Sequence, residues 1–207
     1  MKLITTNEQL TALLPNIAVT VQGEVPLYDK MAPFLAMAEK WACDVFTSEP
    51  VFDTICSYAE GNALRVATTQ AVVYEAFRRA VPHLDIILTP NGFGIVSNTN
   101  IAPASKERIN RLLDALLDNR DAALSQVLSL LPAESGWLGT KQAQFFAATM
   151  FSNMEVTLRF PKASGGRWEQ YLSLREKAIV IEQFLDALAP RRDCSRGASL
   201  RSTYQWN

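Results

Sequence analysis

Apolar residues recur every three or four positions along most of this chain, and prolines and glycines cut the pattern into segments. The longest segment opens at Pro103 and Ser105 and closes at Pro132. Within it Ile109, Leu112, Leu113, Leu116, Leu117, Leu124, Val127, Leu128 and Leu131 share one face of a helix that would reach roughly 40 Å. Pro26 opens an earlier helix with Leu27, Met31, Phe34, Leu35, Ala38, Trp41, Ala42 and Val45 on one side. Pro33 falls inside that pattern and predicts either a kink or a later start. A helix over 64–81 spreads Val66, Ala67, Ala71, Val73, Tyr74, Phe77 and Val81 over a broad arc, with Arg78 and Arg79 in its last turn and Pro82 as its stop. The last helix, 167–188, is expected to turn Trp168, Tyr171, Leu174, Ala178, Ile181, Leu185 and Leu188 toward a core.

Shorter elements fill the gaps. Thr6 and Gln9 form a capping box for a helix that Pro15 ends. A helix follows Pro50 and breaks at Gly61-Asn62, and another covers 141–151. Residues 17–25 read as a strand or an extended loop, and 154–160 as a strand. Between the 64–81 helix and the long one, Asp85-Ile86-Ile87-Leu88-Thr89 and Phe93-Gly94-Ile95-Val96-Ser97 flank Pro90-Asn91-Gly92. Asn-Gly suits the positive φ values of a type I′ turn, so 84–97 is expected to be a β-hairpin. The fold class that results is mainly α: one helical domain over 1–190 with a central β-hairpin and a long amphipathic helix. Tyr28, Met31 and Ala38-Glu39-Lys40-Trp41 also echo Tyr171, Leu174 and Ile181-Glu182-Gln183-Phe184 at a constant offset, which raises the idea of a duplicated helical unit. After Pro190 periodicity ends. Arg191, Arg192, Arg196 and Arg201 lie among Ser, Gly and Asp193, so 191–207 is expected to be a flexible basic tail.

Composition removes several classes of function. The chain has 207 residues, 48% hydrophobic and 20% charged, enough to bury a core and far from the disordered class. A formal net charge of −1 argues against a specific nucleic-acid ligand, which needs clustered excess positive charge. Cys43, Cys56 and Cys194 have no metal-ligand spacing, and an odd count without C-x-x-C suits a reducing compartment. The start of the chain lacks the apolar run of a signal peptide, and no uncharged run approaches a membrane span. The expected setting is the cytoplasm, with no membrane partner.

Candidate chemistry is sparse. His83, the one histidine, has no nucleophile motif beside it, and without a second histidine a histidine-rich metal site is excluded. Asn91-Gly92-Phe93-Gly94 and Ser164-Gly165-Gly166 complete neither a phosphate-binding loop nor a dinucleotide fingerprint. No catalytic residue, cofactor or metal is assigned, and the chain reads as a non-enzyme. Two charges are out of place: Arg120 lies within the apolar stripe of the long helix, and Glu182 between Ala178 and Leu185 on the last one. Buried ions need partners, so Arg120 and Glu182 are expected to pair across the interface of the two helices. Trp41, Trp137 and Trp168 read as core anchors. Trp206 in the tail reads as a contact residue, together with Asn91, Gly92 and Phe93 at the hairpin tip and the tail arginines Arg191, Arg192, Arg196 and Arg201.

The block LTPNGFGIVSN at 88–98, followed by Ala102-Pro103-Ala104-Ser105-Lys106-Glu107-Arg108, resembles an uncharacterised family of Bacteroides-type bacteria and their phages and prophages. Glu182 matches an acidic position in a late helix of that family, and the resemblance spans about 1–188. The stretch after 188 departs from it, since the family would continue with helix. By size, helical content and setting, the resemblance implies a virion neck component, either a head–tail connector or a head-completion protein. Its partners would be portal or neighbouring neck subunits, its location the host cytoplasm and the virion, and its assembly a homo-oligomeric ring. Two other classes stand beside it: an enzyme using carboxylates near Asp85 or Glu39, and a mobile-element adaptor that binds a host protein.

Overall fold

The computed structural model describes residues 2–14, 25–84, 86–89, 92–95 and 105–188. Its helices are α1 (Asn7–Leu13), α2 (Leu27–Ala42), α3 (Glu49–Ser57), α4 (Ala63–Leu84), α5 (Lys106–Leu130), α6 (Lys141–Ala147) and α7 (Gly166–Leu188). A π-turn at Cys43–Thr47 extends α2, and 3-10 turns cover Leu131–Ala133 and Met154–Arg159. Two four-residue strands, β1 (Ile86–Thr89) and β2 (Gly92–Ile95), pair antiparallel between α4 and α5.

Capping sets the helix starts. The Thr6 hydroxyl accepts from the Gln9 amide at 3.3 Å, that of Ser105 from Arg108, and that of Thr140 from Ala143 at 3.1 Å. Each satisfies an amide that has no partner inside its own helix. The packing centre is α4, held against α5 on one side and α2 on another. The broad apolar arc read from the 64–81 segment serves this arrangement: Ala67, Ala71, Val72, Val73, Ala76 and Ala80 are all nearly inaccessible. Small side chains let the helix axes approach closely on both sides. Leu124, Val127 and Leu128 of α5 and Leu131 of the turn after it close the core on one side, and Met31, Leu35, Ala38 and Phe46 close it from α2 and the π-turn. Trp137 is buried and its indole N–H donates to the Phe46 carbonyl at 2.7 Å, which ties the loop after α5 to the π-turn.

Several expectations need correction. A domain built around a central β-hairpin is not what forms: the fold is mainly helical and is organised on α4, which packs against both α5 and α2. The ladder pairs Thr89 with Gly92, so Gly92 lies in β2 and the expected Asn91-Gly92 turn pair is not the turn. Residues 90 and 91 themselves fall outside the described residues, as does the 17–24 part of the segment read as a strand or loop. The duplicated unit is likewise not found, because α2 packs on α4 while α7 packs on α5 and the Met154–Arg159 turn. Pro82 does not stop α4, which runs through it to Leu84, and α2 begins at Leu27 and runs through Pro33, which excludes the later start. The predicted strand at 154–160 is a 3-10 turn, because Asn153 caps Glu155 and the Thr157 hydroxyl donates back to the Met154 carbonyl. Local side-chain bonds of this kind compete with strand pairing.

The start of α7 is the tightest point of the fold. Gly166 has φ +92°, and a Cβ there would lie 2.7 Å from Asp121 Oδ2 and 3.0 Å from Leu117 Cδ2. Gly166→Ala should therefore destabilise the protein by about 2–4 kcal/mol in urea unfolding, through backbone strain and displacement of Asp121 together.

Candidate functional site

Most charged side chains of a small domain lie in water, and this one buries several at one junction. On α4, Glu75 is 2% exposed although it lies among Val72, Ala71 and Ala76. Its Oε1 accepts from Arg78 at 2.9 Å and from Arg79 Nε at 2.7 Å, residues three and four positions on along the same helix. Its Oε2 accepts from Arg78 Nε and from Arg120 of α5, both at 3.0 Å. Arg120 also donates through Nε and an Nη to Asp121 Oδ1, at 2.9 and 2.6 Å. The other oxygen, Asp121 Oδ2, accepts from the Trp168 amide in the first turn of α7 at 3.1 Å. A carboxylate of α5 thus caps α7 from outside, where the helix dipole favours negative charge. One connected network joins α4, α5 and α7.

This network holds structure and offers little for proton transfer. Burial pushes the Glu75 carboxyl up, but hydrogen bonds from Arg78 and Arg79 and the charges of Arg78 and Arg120 outweigh it and hold the pKa down to about 2. All four carboxylate oxygens of Glu75 and Asp121 are engaged. Glu39 is held differently: burial raises its pKa, and its Oε1 accepts from the Leu3 amide at 3.0 Å, fastening the N-terminal segment to α2. Burial also raises the Cys43 and Cys56 thiols to about 11, which leaves them protonated and unreactive at neutral pH. Among the described residues no group of three His, Cys, Asp or Glu could hold a metal ion, and no helix is long and apolar enough to cross a membrane.

A second buried cation lies in α7. Arg175 is 1% exposed and has no carboxylate in ion-pair range among the described residues. It donates to the carbonyls of Phe146 at 3.2 Å and Phe151 at 2.6 Å, to the carbonyl of Phe145, and to the Thr149 hydroxyl at 3.0 Å. Phe145 and Phe146 lie in the last turn of α6, whose carbonyls are the negative end of that helix. The rings of Phe145, Phe146 and Tyr171 surround the guanidinium at 4.5, 5.7 and 5.5 Å. Carbonyl dipoles and ring faces therefore take the place of a counter-ion.

Beyond Arg175 one face of α7 turns to solvent. Val180, Ile181, Phe184, Leu185 and Leu188 are 55–65% exposed. Ile181, Leu185 and Leu188 were expected in the core, and this is corrected: helical spacing selects a face, but nothing among the described residues lies opposite this one. Glu182 accepts from the Met150 amide at 3.1 Å, and Arg120 is held by Glu75 and Asp121, so the expected Arg120–Glu182 pair does not form. The helical wheel identified Arg120 as buried but named the wrong partner. Glu75 and Arg175 were missed, although the same wheel places Glu75 beside Ala71 and Val72, and Arg175 between Tyr171 and Ala178. Of the expected contact residues, Gly92 and Phe93 lie in β2, with only their backbone described. Asn91, Arg191, Arg192, Arg196, Arg201 and Trp206 lie outside the described residues. His83 stacks on Phe34 with ring centroids 5.5 Å apart, a packing role.

The α2–α6 segment that carries Glu75, Arg120 and Asp121 is also the part recognised by comparison with known proteins. Residues 19–147 match the model of a family of unknown function, DUF6712. The match spans more than half of the chain, so this protein belongs to that family. No curated protein and no solved structure matches it.

Two outcomes follow from these two buried sites. Glu75 is ionised in folded and unfolded chains at neutral pH, and on acidification the unfolded chain takes up its proton first, near 4.5. Its stabilisation is therefore full above pH 4.5 and is lost as pH falls toward 2. Glu75→Gln should cost about 3 kcal/mol at pH 7, by leaving Arg120 without that anion, and should flatten the acid limb of a stability-against-pH curve. Arg175→Lys keeps the charge but not the planar fork, and should lower stability by about 2 kcal/mol in urea unfolding at pH 7.

Proposed function

We propose that this protein is a non-enzymatic structural component of a phage or prophage particle, a neck protein that docks against portal or neighbouring neck subunits. The observation that carries the reading is the apolar end of α7, five large side chains each more than half exposed. Such a patch is costly for a free monomer and useful at a contact. The engaged carboxylates of the α4–α5–α7 junction suit a structural role there, since that network braces three helices. The resemblance of the 88–108 block to phage and prophage proteins supplies the setting, the host cytoplasm during assembly and the virion afterwards.

Mass spectrometry of particles released from cells that carry the gene tests the reading. The chain is expected in purified particles, at a fixed ratio to the portal protein. Particles that contain portal and lack this chain would overturn it, and stable capture of a host protein in their place would make the chain an adaptor.

A further inference from the structure

The exposed end of α7 has a shape that narrows what covers it. At about 100° per residue, Val180, Phe184, Leu188, Ile181 and Leu185 fall within an arc of roughly 140°, with Glu182, Gln183 and Asp186 outside it. This is too wide for a helix meant to face water. The five side chains offer about 100 Å² of apolar surface each, roughly 500 Å² together. That lies in the upper part of the range for the largest patch on an ordinary monomer, about 300–600 Å². Met150, 70% exposed and hydrogen-bonded through its amide to Glu182, adds to the flank.

We infer that this face pairs with the same face of a second copy of the chain, α7 against α7 in antiparallel orientation about a two-fold axis. Three observations favour a second copy over another occupant. First, two such patches bury about 1,000 Å² in total, the threshold for a specific interface. Second, four of the five positions, Val180, Ile181, Phe184 and Leu185, are symmetric about a centre between Glu182 and Gln183. Val180 then lies level with the partner's Leu185 and Ile181 with the partner's Phe184, so these four large side chains meet others of their kind. Third, the one charge inside the arc is complemented. Lys177 is exposed and lies opposite the partner's Leu188, where its aliphatic stem covers the leucine and its ammonium reaches the last-turn carbonyls of the partner helix. An isologous pair of this kind is closed, which leaves the remaining surface free for heterologous contacts with other subunits.

The inference rests on reading the α7 face as a contact surface, and its test needs no phage particle. Sedimentation equilibrium on the full-length chain, from low-micromolar to near-millimolar concentration, should show the 23.0 kDa monomer converting to a dimer. Phe184→Glu and Ile181→Glu change exposed positions, so each should leave the melt of the dilute monomer unchanged and raise the dimer Kd about a hundredfold. Gln183→Glu, on the opposite side of the helix, should leave it unaltered. A monomer at every concentration overturns the inference, as does a dimer that survives both glutamates or a closed ring of odd order. Absence from particles with a dimer intact would remove the neck reading and leave this pairing standing.

Discussion

Everything in this fold turns on the carboxylate of Glu75 being shared among three guanidiniums at the α4–α5 contact. Two helices that present small and aliphatic side chains can pack in several registers, because apolar contact is nearly indifferent to sliding. A buried anion with directional partners is not. Arg120 must lie opposite Glu75, and that places Asp121 where it reaches the first turn of α7. The charges thus convert a greasy contact into a specified one, and they set where the third helix begins. Gly166 belongs to the same device, since only a residue without Cβ lets the backbone pass Asp121 so closely.

Arg175 extends this logic toward the C-terminal side. It has no acidic partner, and the carbonyls that receive it come from the end of α6 and the segment after it. A short helix such as α6 has little stability of its own, and its terminal carbonyls are the groups most in need of donors. The guanidinium supplies them and orders the Phe145–Phe151 segment against α7. Beyond Arg175 the helix keeps one side on the protein through Ala178 and the Met150–Glu182 hydrogen bond, while its other face is exposed. Its base is fixed by Asp121, Trp168, Tyr171 and Arg175. A stiff projecting helix can present an apolar face with little loss of conformational entropy on contact, whereas a loop could not.

The family match covers the segment from before α2 through α6 and stops short of α7. Glu75, Arg120 and Asp121 fall inside it, whereas Gly166, Trp168 and Arg175 fall outside. The bracing pair of helices and the projecting rod are therefore separable in the chain, though one network of hydrogen bonds joins them in space. A scaffold of this sort can keep its central pair while the attached helix carries the surface that selects a partner.

Helical periodicity, capping residues and the apolar arc of α4 were readable along the chain because each depends on neighbours within a few positions. The burial of Arg120 was readable for the same reason: an arginine on an apolar stripe has nowhere else to go. Its partner was not, because Glu75 is 45 residues away and Glu182 was an equally plausible acid on a pattern that carries no distances. Pro82 does not end α4 because tertiary packing sustains a helix through a residue that would break it in isolation. The exposure of Ile181, Leu185 and Leu188 lay beyond any local reading as well. A stripe says which way a helix would bury itself, and only the placement of every other element says whether anything is there to receive it.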